Sequence, residues 1–312
     1  MISMRYHIVS LAAIFLALAL GIVLGATKIS SPILAGLQTD KTSLSSQNDQ
    51  LSTDNSSLTA RVSSDDKFSA SVSSLAVRGT LPNTTVVLIS TQDADPGARN
   101  AVLSLLARSG SKVTAQIQLT ANFADPSHAD DLRTLAARVL PTGAKLPAVS
   151  QVGAVAGGLL ASVLLTDKNG KTATKTDQAT AALSALAGGG FLQTSGVVVP
   201  GRLVVILTGG AVTGGSEGDR AAAIADLANQ LKQSAGGVVV AGNSGSEAAT
   251  GTVGVLRKNA AYSAAVSTVD DVDTSSGRLA TVLALVEQNG GGVGRYGFAA
   301  SAQAQVPTLG VG

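Results

Sequence analysis

The amino-acid sequence predicts an α/β protein in three parts: an N-terminal transmembrane helix, a membrane-proximal coiled coil, and an extracytoplasmic, Rossmann-like, mainly parallel α/β domain. Three observations lead to this prediction. The chain opens with an uncharged apolar run, continues with leucines at seven-residue spacing, and then alternates short apolar runs with helical segments. We place the three parts at residues 1–28, 32–76 and 81–298, and we assign 299–312 to a loose C-terminal tail.

The first apolar run is long enough to cross a membrane. Ile8–Ala26 contains no charged residue, and a helix of that length extends about 28 Å, close to the thickness of the hydrocarbon core. Arg5 precedes the run and a long polar segment follows it. This order is typical of a protein whose N-terminus is cytoplasmic and whose remaining chain is extracytoplasmic. We therefore predict a single-pass anchor in the inner membrane that contacts the lipid bilayer through residues 8–26. A signal peptide cleaved near Ala19 or Ala26 is the alternative.

A strict seven-residue period of leucines runs through a stretch rich in Ser, Thr, Asn, Asp and Gln. Leucines fill the d positions of the heptad and asparagines some of the a positions, which favours a parallel two-stranded coiled coil. The predicted seam consists of Leu34, Leu37, Leu44, Asn48, Leu51, Asn55, Leu58 and Val62. After Asp65 the apolar series resumes with a shifted phase at Phe68, Val72 and Leu75. The same polar composition is also compatible with a flexible linker.

The rest of the chain predicts a sheet covered by helices. Its apolar runs are continuous rather than alternating, as expected for parallel strands buried on both faces. The predicted strands are 86–90, 112–119, 202–208, 237–242 and 264–270, and the predicted helices are 98–109, 217–234 and 277–289. The uncharged segment 146–166 contains Pro147 and the pair Gly157 and Gly158, so we interpret it as a buried helix rather than a second membrane span.

Composition excludes several functions. The net charge is only +2 and no basic run is interleaved with aromatic residues, so we expect no nucleic-acid partner. The chain has no Cys, and Met1 and Met4 both precede the apolar run. His128 is the one histidine beyond the anchor, and because no nucleophile motif accompanies it we interpret it as a surface residue. We therefore predict no enzymatic activity, no metal site and no cofactor.

The loop Gly209–Ser216 is a candidate ligand loop. It follows a predicted strand and opens a helix, and Gly209, Gly214 and Ser216 match the pattern of a phosphate loop. Gly215 stands where that pattern requires lysine, so the contact to the terminal phosphates is missing. A backbone anion site at the helix start is one interpretation, and a flexible strand-to-helix turn is the one we favour.

Asp270 and Asp271 form the second candidate loop, together with Asp273. They end a predicted strand at the edge where open α/β sheets bind ligands. Carboxylates at this spacing suit Mg²⁺ or Ca²⁺, although we favour capping of the next helix and loop solvation. With the glycine loop, they allow a third interpretation, a degenerate nucleotide- or sugar-binding domain.

Two blocks of sequence resemble a known family. They are MISMRYHIVSLAAIFLALALGIVLG at the N-terminus and VSTVDDVDTSSGRLATVLALVEQ near the C-terminus, the latter followed by GRYG at residues 294–297. Both are similar to the actinobacterial MctB family, described as a copper transport protein of the mycobacterial envelope. Its corynebacterial relatives are described as SteB, one half of the SteA–SteB pair, and this chain resembles that branch.

The two branches of the family imply different functions. The resemblance to SteB implies a membrane-anchored partner of SteA, with the pair influencing cell separation through a peptidoglycan hydrolase. The resemblance to MctB implies copper efflux and an outer-membrane pore. Copper(I) prefers Cys, Met and His ligands, which are almost absent beyond the apolar run, so direct copper binding fits this chain poorly. An outer-membrane barrel needs alternating strands with aromatic girdles, whereas this chain has only five Phe and three Tyr, so a pore also fits poorly.

We therefore expect a non-enzymatic scaffold of the cell envelope. Its coiled coil would pair with a second copy, as a parallel homodimer, or with a SteA-like membrane protein, and would act indirectly on a peptidoglycan hydrolase. A copper homeostasis or efflux protein of the MctB type is the alternative function.

Overall fold

The computed structural model describes residues 4–167 and 169–308, and for residues 26–34 it describes the helix backbone only. The chain divides into two compact units, of which the first ends at Ser64 and the second begins at Asp65. Helix α1 runs from Met4 to Ala76, so the predicted anchor and the predicted coiled-coil segment are continuous. The seam position Leu34 and the tail residues 309–312 lie outside the described residues.

The start of α1 has the length and composition of a membrane span. Its first 22 residues, Met4–Gly25, are mainly apolar after Arg5 and His7, and none of them is buried. Leu16, for example, is 70% exposed. An apolar segment of this kind is typical of a membrane anchor, and a signal sequence has the same character.

Hydroxyl groups in the Ser- and Thr-rich middle of α1 bond to carbonyl groups of their own helix. Thr39 Oγ1 donates to the carbonyl of Ala35 at 2.9 Å, and Thr53 Oγ1 donates to that of Asp49 at 2.8 Å. These bonds to the carbonyl four residues earlier satisfy polar side chains that otherwise compete with the helix. The helical prediction for residues 37–62 is confirmed, and the pairing of this helix stays a prediction.

The second unit is an α/β domain. Its strands are β1 (Thr85–Ser90), β2 (Lys112–Leu119), β3 (Leu192–Thr194), β4 (Leu203–Thr208), β5 (Gly237–Gly242), β6 (Ser267–Val269) and β7 (Arg295–Tyr296). Its helices are α2 (Pro96–Arg108), α3 (Ala121–Ala124), α4 (Ala129–Arg138), α5 (Val152–Leu164), α6 (Thr176–Gly188), α7 (Glu217–Lys232), α8 (Thr252–Lys258), α9 (Ala260–Ser263) and α10 (Ser275–Asn289).

The strands form one sheet in the order β3-β2-β1-β4-β5-β6-β7. The pairing of β2 with β3 is antiparallel, and the other neighbouring pairs are parallel. The predicted Rossmann-like, mainly parallel fold is therefore confirmed. Because β1 and β4 are neighbours, the chain builds the sheet outward from this pair in both directions.

Successive residues of each central strand enter two separate cores. Val87 and Ile89 belong to the core that includes residues of α4, α5, α6, α7 and α8. Val86 and Leu88 belong to the core that includes residues of α2 and α10. Burial on both faces is what the continuous apolar runs predicted.

The uncharged segment 146–166 forms a buried helix, as predicted. Ten of its residues in α5 are buried, and the helix is 13 residues long. A side chain at Gly153 would overlap the backbone of Ala223 in α7, so glycine permits a close approach of the two helices. The glycines of this segment therefore serve helix packing.

The end of α1 belongs to the α/β domain. Ser73 is buried, and Asp66 Oδ1 accepts a hydrogen bond of 2.5 Å from the backbone N–H of Ser275 at the start of α10. Phe68 and Leu75, predicted to resume the apolar series, remain 68% and 62% exposed. Val72, the third residue of that series, is half-buried beside Ser73, so the side of α1 that packs on the domain combines polar residues with one apolar side chain.

Residues that follow Phe298 pack on the domain rather than forming a loose tail. Ala304 pairs with Tyr296 as an isolated β-bridge. The backbone N–H of Gln303 donates to the carbonyl of Arg295 at 2.8 Å, and Val306 packs against the core on the α2 and α10 side. Sequence composition did not indicate these contacts because the segment has no apolar period.

Candidate functional site

The predicted seam forms an exposed apolar line on α1. Leu37, Leu44, Leu51 and Leu58 are 61–69% exposed, and Val62 is 66% exposed. Asn55 Oδ1 accepts a hydrogen bond from Thr59 within the same helix. Leucines at a strict heptad spacing are the arrangement that a second helix covers in a coiled coil.

The glycine loop has the structural context that the sequence predicted. It follows β4 and leads into α7, and Ser216 adopts a left-handed conformation with φ 52°. The side chain of Glu217, however, accepts a hydrogen bond of 2.8 Å from the backbone N–H of Gly215. This bond, with further backbone hydrogen bonds, lowers the pKa of Glu217. A carboxylate of the chain itself thus occupies a position that a phosphate would take in a phosphate loop.

Gly209 has a packing role that the sequence did not reveal. A side chain there would overlap the carboxylate of Asp93, which follows β1. Thr91 Oγ1 donates to Asp93 Oδ1 at 2.5 Å, and the backbone N–H of Thr91 donates to Leu207 in β4. The loops after β1 and β4 are therefore held together, with Asp93 between them.

A cavity of about 310 Å³ opens at this edge of the sheet. It lies beyond the carboxyl ends of β1, β2 and β4. The polar side chains of its lining are Thr91, Gln92, Asp93, Thr120, Thr208, Arg220 and Thr252. Two residues of the predicted glycine loop, Gly210 and Val212, line this cavity. Asp93 was missed because no motif marks it, although its position just after a predicted strand was a usable signal.

Asp270 is bound in a buried ion pair instead of capping a helix. Arg257 Nη1 donates to Asp270 Oδ2 at 2.6 Å, and the two side chains are 4% and 2% exposed. Asp270 Oδ1 accepts from the backbone N–H groups of Phe298 and Ala299. Gly297 has a φ of 121°, and a side chain there would overlap the same carboxylate. The two C-terminal motifs, VSTVDDVD and GRYG, therefore contact each other at the carboxylate of Asp270.

Asp271 is also buried, so the predicted capping and solvation are wrong for Asp270 and Asp271. Asp273 is exposed, and its Oδ1 accepts hydrogen bonds from the backbone N–H and the hydroxyl of Ser244. The capping residue of α10 is Thr274, which accepts from Gly277 N. Burial raises the pKa of Asp271 to about 6, against a hydrogen bond from Thr274 that lowers it, and the charges of Asp270 and Asp273 raise it further. Asp271 Oδ1 is buried without a hydrogen-bond partner among the described residues.

The two candidate loops do not share one pocket. The cavity beside β1 and β4 includes Gly210 but neither Asp270 nor Asp271 among its lining residues. Gly214 and Ser216 lie further along the loop and are exposed. The sequence correctly predicted both loops at the carboxyl edge of the sheet. They follow β4 and β6, however, and β5 lies between these strands in the sheet.

Potential copper ligands are sparse. His128 lies in a short 3₁₀ turn, Pro126–His128, with a side chain 42% exposed and its Nδ1 3.9 Å from Asp131 Oδ2. Its predicted surface position is confirmed. Across residues 4–167 and 169–308, no three His, Cys, Asp or Glu side chains converge as a metal site would require. The donor set beyond the anchor thus contains neither thiolate nor thioether, the ligands Cu(I) prefers.

Comparison with known proteins identifies relatives along nearly the whole chain. A family model described as "Copper transport outer membrane protein, MctB" matches residues 1–307. Proteins named "Copper transporter MctB" from Mycobacterium tuberculosis and Mycobacterium bovis are 36% identical over 303 residues, which cover 95% of this chain and 96% of each relative. The protein of the same name from Mycobacterium leprae is 33% identical over 306 residues, with the same coverage.

Proposed function

This chain belongs to the MctB family, and we propose that it is a membrane-anchored protein of the cell envelope that contributes to copper homeostasis. The observation that carries the proposal is the match to relatives named copper transporters over 95% of the chain. Residues 8–26 would anchor it in the inner membrane with the N-terminus in the cytoplasm, since Arg5 precedes this apolar run. The α/β domain would then lie outside that membrane.

The proposed contribution to copper homeostasis is indirect. The anchored chain offers copper one histidine, His128, and no sulfur ligand beyond the span, so a relay of Cu(I) ligands along the protein is not available. The exposed leucines of α1 offer instead a surface for a second chain. We therefore assign to the protein an assembly role, without enzymatic activity, in which it holds a partner at the membrane.

Copper titration and copper tolerance test this proposal together. The full chain in detergent is titrated with Cu(I) in competition with bicinchoninate, and we expect no stoichiometric tight site. A deletion strain should lose copper tolerance, and the wild-type chain and His128→Ala should restore it, whereas the double variant Leu44→Ser, Leu51→Ser should not. Unchanged copper tolerance in the deletion strain would contradict the copper function. Tight binding that His128→Ala abolishes would contradict the indirect role.

A second candidate function is a scaffold for cell separation. The leucine seam favours it, because a Leu-rich d series with Asn48 and Asn55 at a positions is typical of a helix with a defined partner. In this function the helix binds a SteA-like membrane protein or a second copy, and the pair influences a peptidoglycan hydrolase.

Co-purification distinguishes the two candidates. The full chain is captured from cells that carry a tagged SteA-like protein, and cell chains are counted by microscopy in the deletion strain. Recovery that depends on Leu44 and Leu51, with chained cells and normal copper tolerance, would support the separation scaffold. Recovery of the chain without the SteA-like protein, and normal cell separation, would exclude it.

A further inference from the structure

The strand order of the sheet has its topological switch point between β1 and β4. From β1 the chain continues through α2 to β2 on one side, and from β4 it continues through α7 to β5 on the other side. Helices α2 and α7 contribute to the two different cores, and thus cover opposite faces of the sheet. The connections therefore leave a crevice beyond β1 and β4, which is where open α/β sheets bind ligands.

The cavity in this crevice has the properties of a small binding site. Its volume of about 310 Å³ is at the lower end of the range for ligand pockets, about 300–1,000 Å³. Leu119, Val212 and Ile224 provide an apolar floor. Asp93, Gln92 and four threonines supply polar groups to the same lining. The hydroxyl groups of Thr91, Thr120 and Thr208 already donate to Asp93 and to the carbonyls of Gly190 and Gly209, so their oxygens remain available as acceptors. A compact ligand with both C–H and O–H groups fits this combination.

The charges of the cavity argue against an anionic ligand. Arg220 is the one cationic side chain among the described lining residues, and its Nη1 already donates to the carbonyl of Thr213 at 3.0 Å. Asp93 brings a negative charge to the same lining, so the two charges offset each other. The Gly215 N–H, which a phosphate would use, is bonded to Glu217. A phosphate would therefore gain little here and would meet a carboxylate.

We propose that this cavity binds a neutral, hydroxyl-rich ligand about the size of one sugar ring. Asp93 accepts hydrogen bonds from ligand hydroxyls, and such charge-assisted bonds are stronger than neutral ones. The threonine oxygens accept hydrogen bonds from further hydroxyls of the ligand, and the apolar floor packs against the C–H groups of the ring. This inference is independent of both functions proposed above, since it depends on neither copper nor the leucine seam.

Ligand-observed NMR on the full chain in detergent tests the proposal, with N-acetylglucosamine, inorganic phosphate and glycine as probes. We expect saturable binding of N-acetylglucosamine with a Kd on the order of 1 mM, as for a ligand that gains about 4 kcal/mol, and no binding of phosphate or glycine. Asp93→Asn keeps the shape of the side chain but removes its charge, and should weaken binding about tenfold. Ala124→Leu fills the cavity from its wall and should abolish binding.

Asp177→Asn is the matched control, because Asp177 is exposed on α6 and does not line the cavity. It should leave binding unchanged. Circular dichroism of each variant verifies that the domain is folded. Three results would overturn the proposal: no binding of the sugar, binding of phosphate or glycine in its place, or sugar binding that survives both Asp93→Asn and Ala124→Leu.

Discussion

The same residue type has opposite surroundings in the two units of the chain. In the first unit, Leu44 and Leu51 are both 69% exposed. In the α/β domain, Leu88 and Leu106 are 1% and 0% exposed. The domain thus buries its leucines against its own strands and helices, while the helix presents its leucines to its surroundings. The domain is therefore stabilised by contacts within itself, whereas the leucines of residues 35–64 contribute little buried apolar area to the chain's own fold.

The largest expected effect concerns the helix. Leu44→Ser with Leu51→Ser should abolish self-association of the full chain, because four leucines per pair, each contributing at least about 1.5 kcal/mol when buried, account for about 6 kcal/mol. The melting temperature of the α/β domain should not change. Analytical ultracentrifugation in detergent measures the first quantity, and near-ultraviolet circular dichroism of the domain tyrosines measures the second.

Ser46→Ala with Thr53→Ala is the control for that experiment, since both residues lie on the same helix away from the seam. It should leave association intact. If the leucine variant associates as well as the wild type, self-pairing through the seam is wrong.

The next largest effect concerns the domain alone. Arg257→Ala would leave the carboxylate of Asp270 buried without its counter-charge, and removal of one member of a buried pair costs about 3–5 kcal/mol. Urea unfolding of the full chain, monitored by tyrosine circular dichroism, should reveal this loss, with helix association unchanged. Arg133→Ala removes an exposed ion pair with Asp130 and should cost less than about 1 kcal/mol. Equal losses of unfolding free energy in the two variants would contradict a structural role for the buried Arg257–Asp270 ion pair.

Substitution of Asp271 is expected to raise the free energy of unfolding instead of lowering it. Its pKa in the fold is raised to about 6, above its value in the unfolded chain, so the native state binds the proton more tightly. Stability is therefore lost as the pH rises through about 6, and is regained as the pH falls toward 4. Asp271→Asn should stabilise the domain at pH 7 by about 1–3 kcal/mol and flatten this pH dependence. Urea unfolding at pH 5 and pH 7 measures both, and an unaltered pH dependence would contradict it.

The smallest effect concerns the end of α1, where the helix packs on the domain. Asp66→Ala removes the acceptor for the backbone N–H of Ser275, a loss comparable to that of a helix cap, about 1 kcal/mol. Hydrogen exchange of the first turn of α10 should become faster. Asp54→Ala, exposed on the same helix within the first unit, should leave that exchange unchanged.

Much of the fold was predictable from local patterns. The strands at 112–119 and 237–242 were predicted with the bounds that the structure gives, because continuous apolar runs between polar turns specify buried parallel strands. The short strands β3 and β7 were missed, since two or three residues carry no pattern of their own. They form by pairing with neighbours that are distant in the sequence.

The candidate sites were predictable only in part. Both loops were placed at the carboxyl edge of the sheet, which follows from the order of strands and helices along the chain. No pattern in the sequence indicates that Arg257 neutralises Asp270, or that Asp93 contacts Gly209. Each of these pairs is brought together by tertiary packing.

Local patterns in the sequence are enough to predict an apolar helix of membrane-spanning length, a seven-residue period of leucines, and alternating strands and helices that build a sheet. These properties depend on neighbours within a few residues, where periodicity and propensity act. The burial of Asp270 and Asp271, the packing of residues 299–306 on the domain, and the position of the cavity beside β1 and β4 are visible only in the folded protein. Those outcomes depend on strand order and on contacts between residues far apart in the chain, which no local pattern encodes.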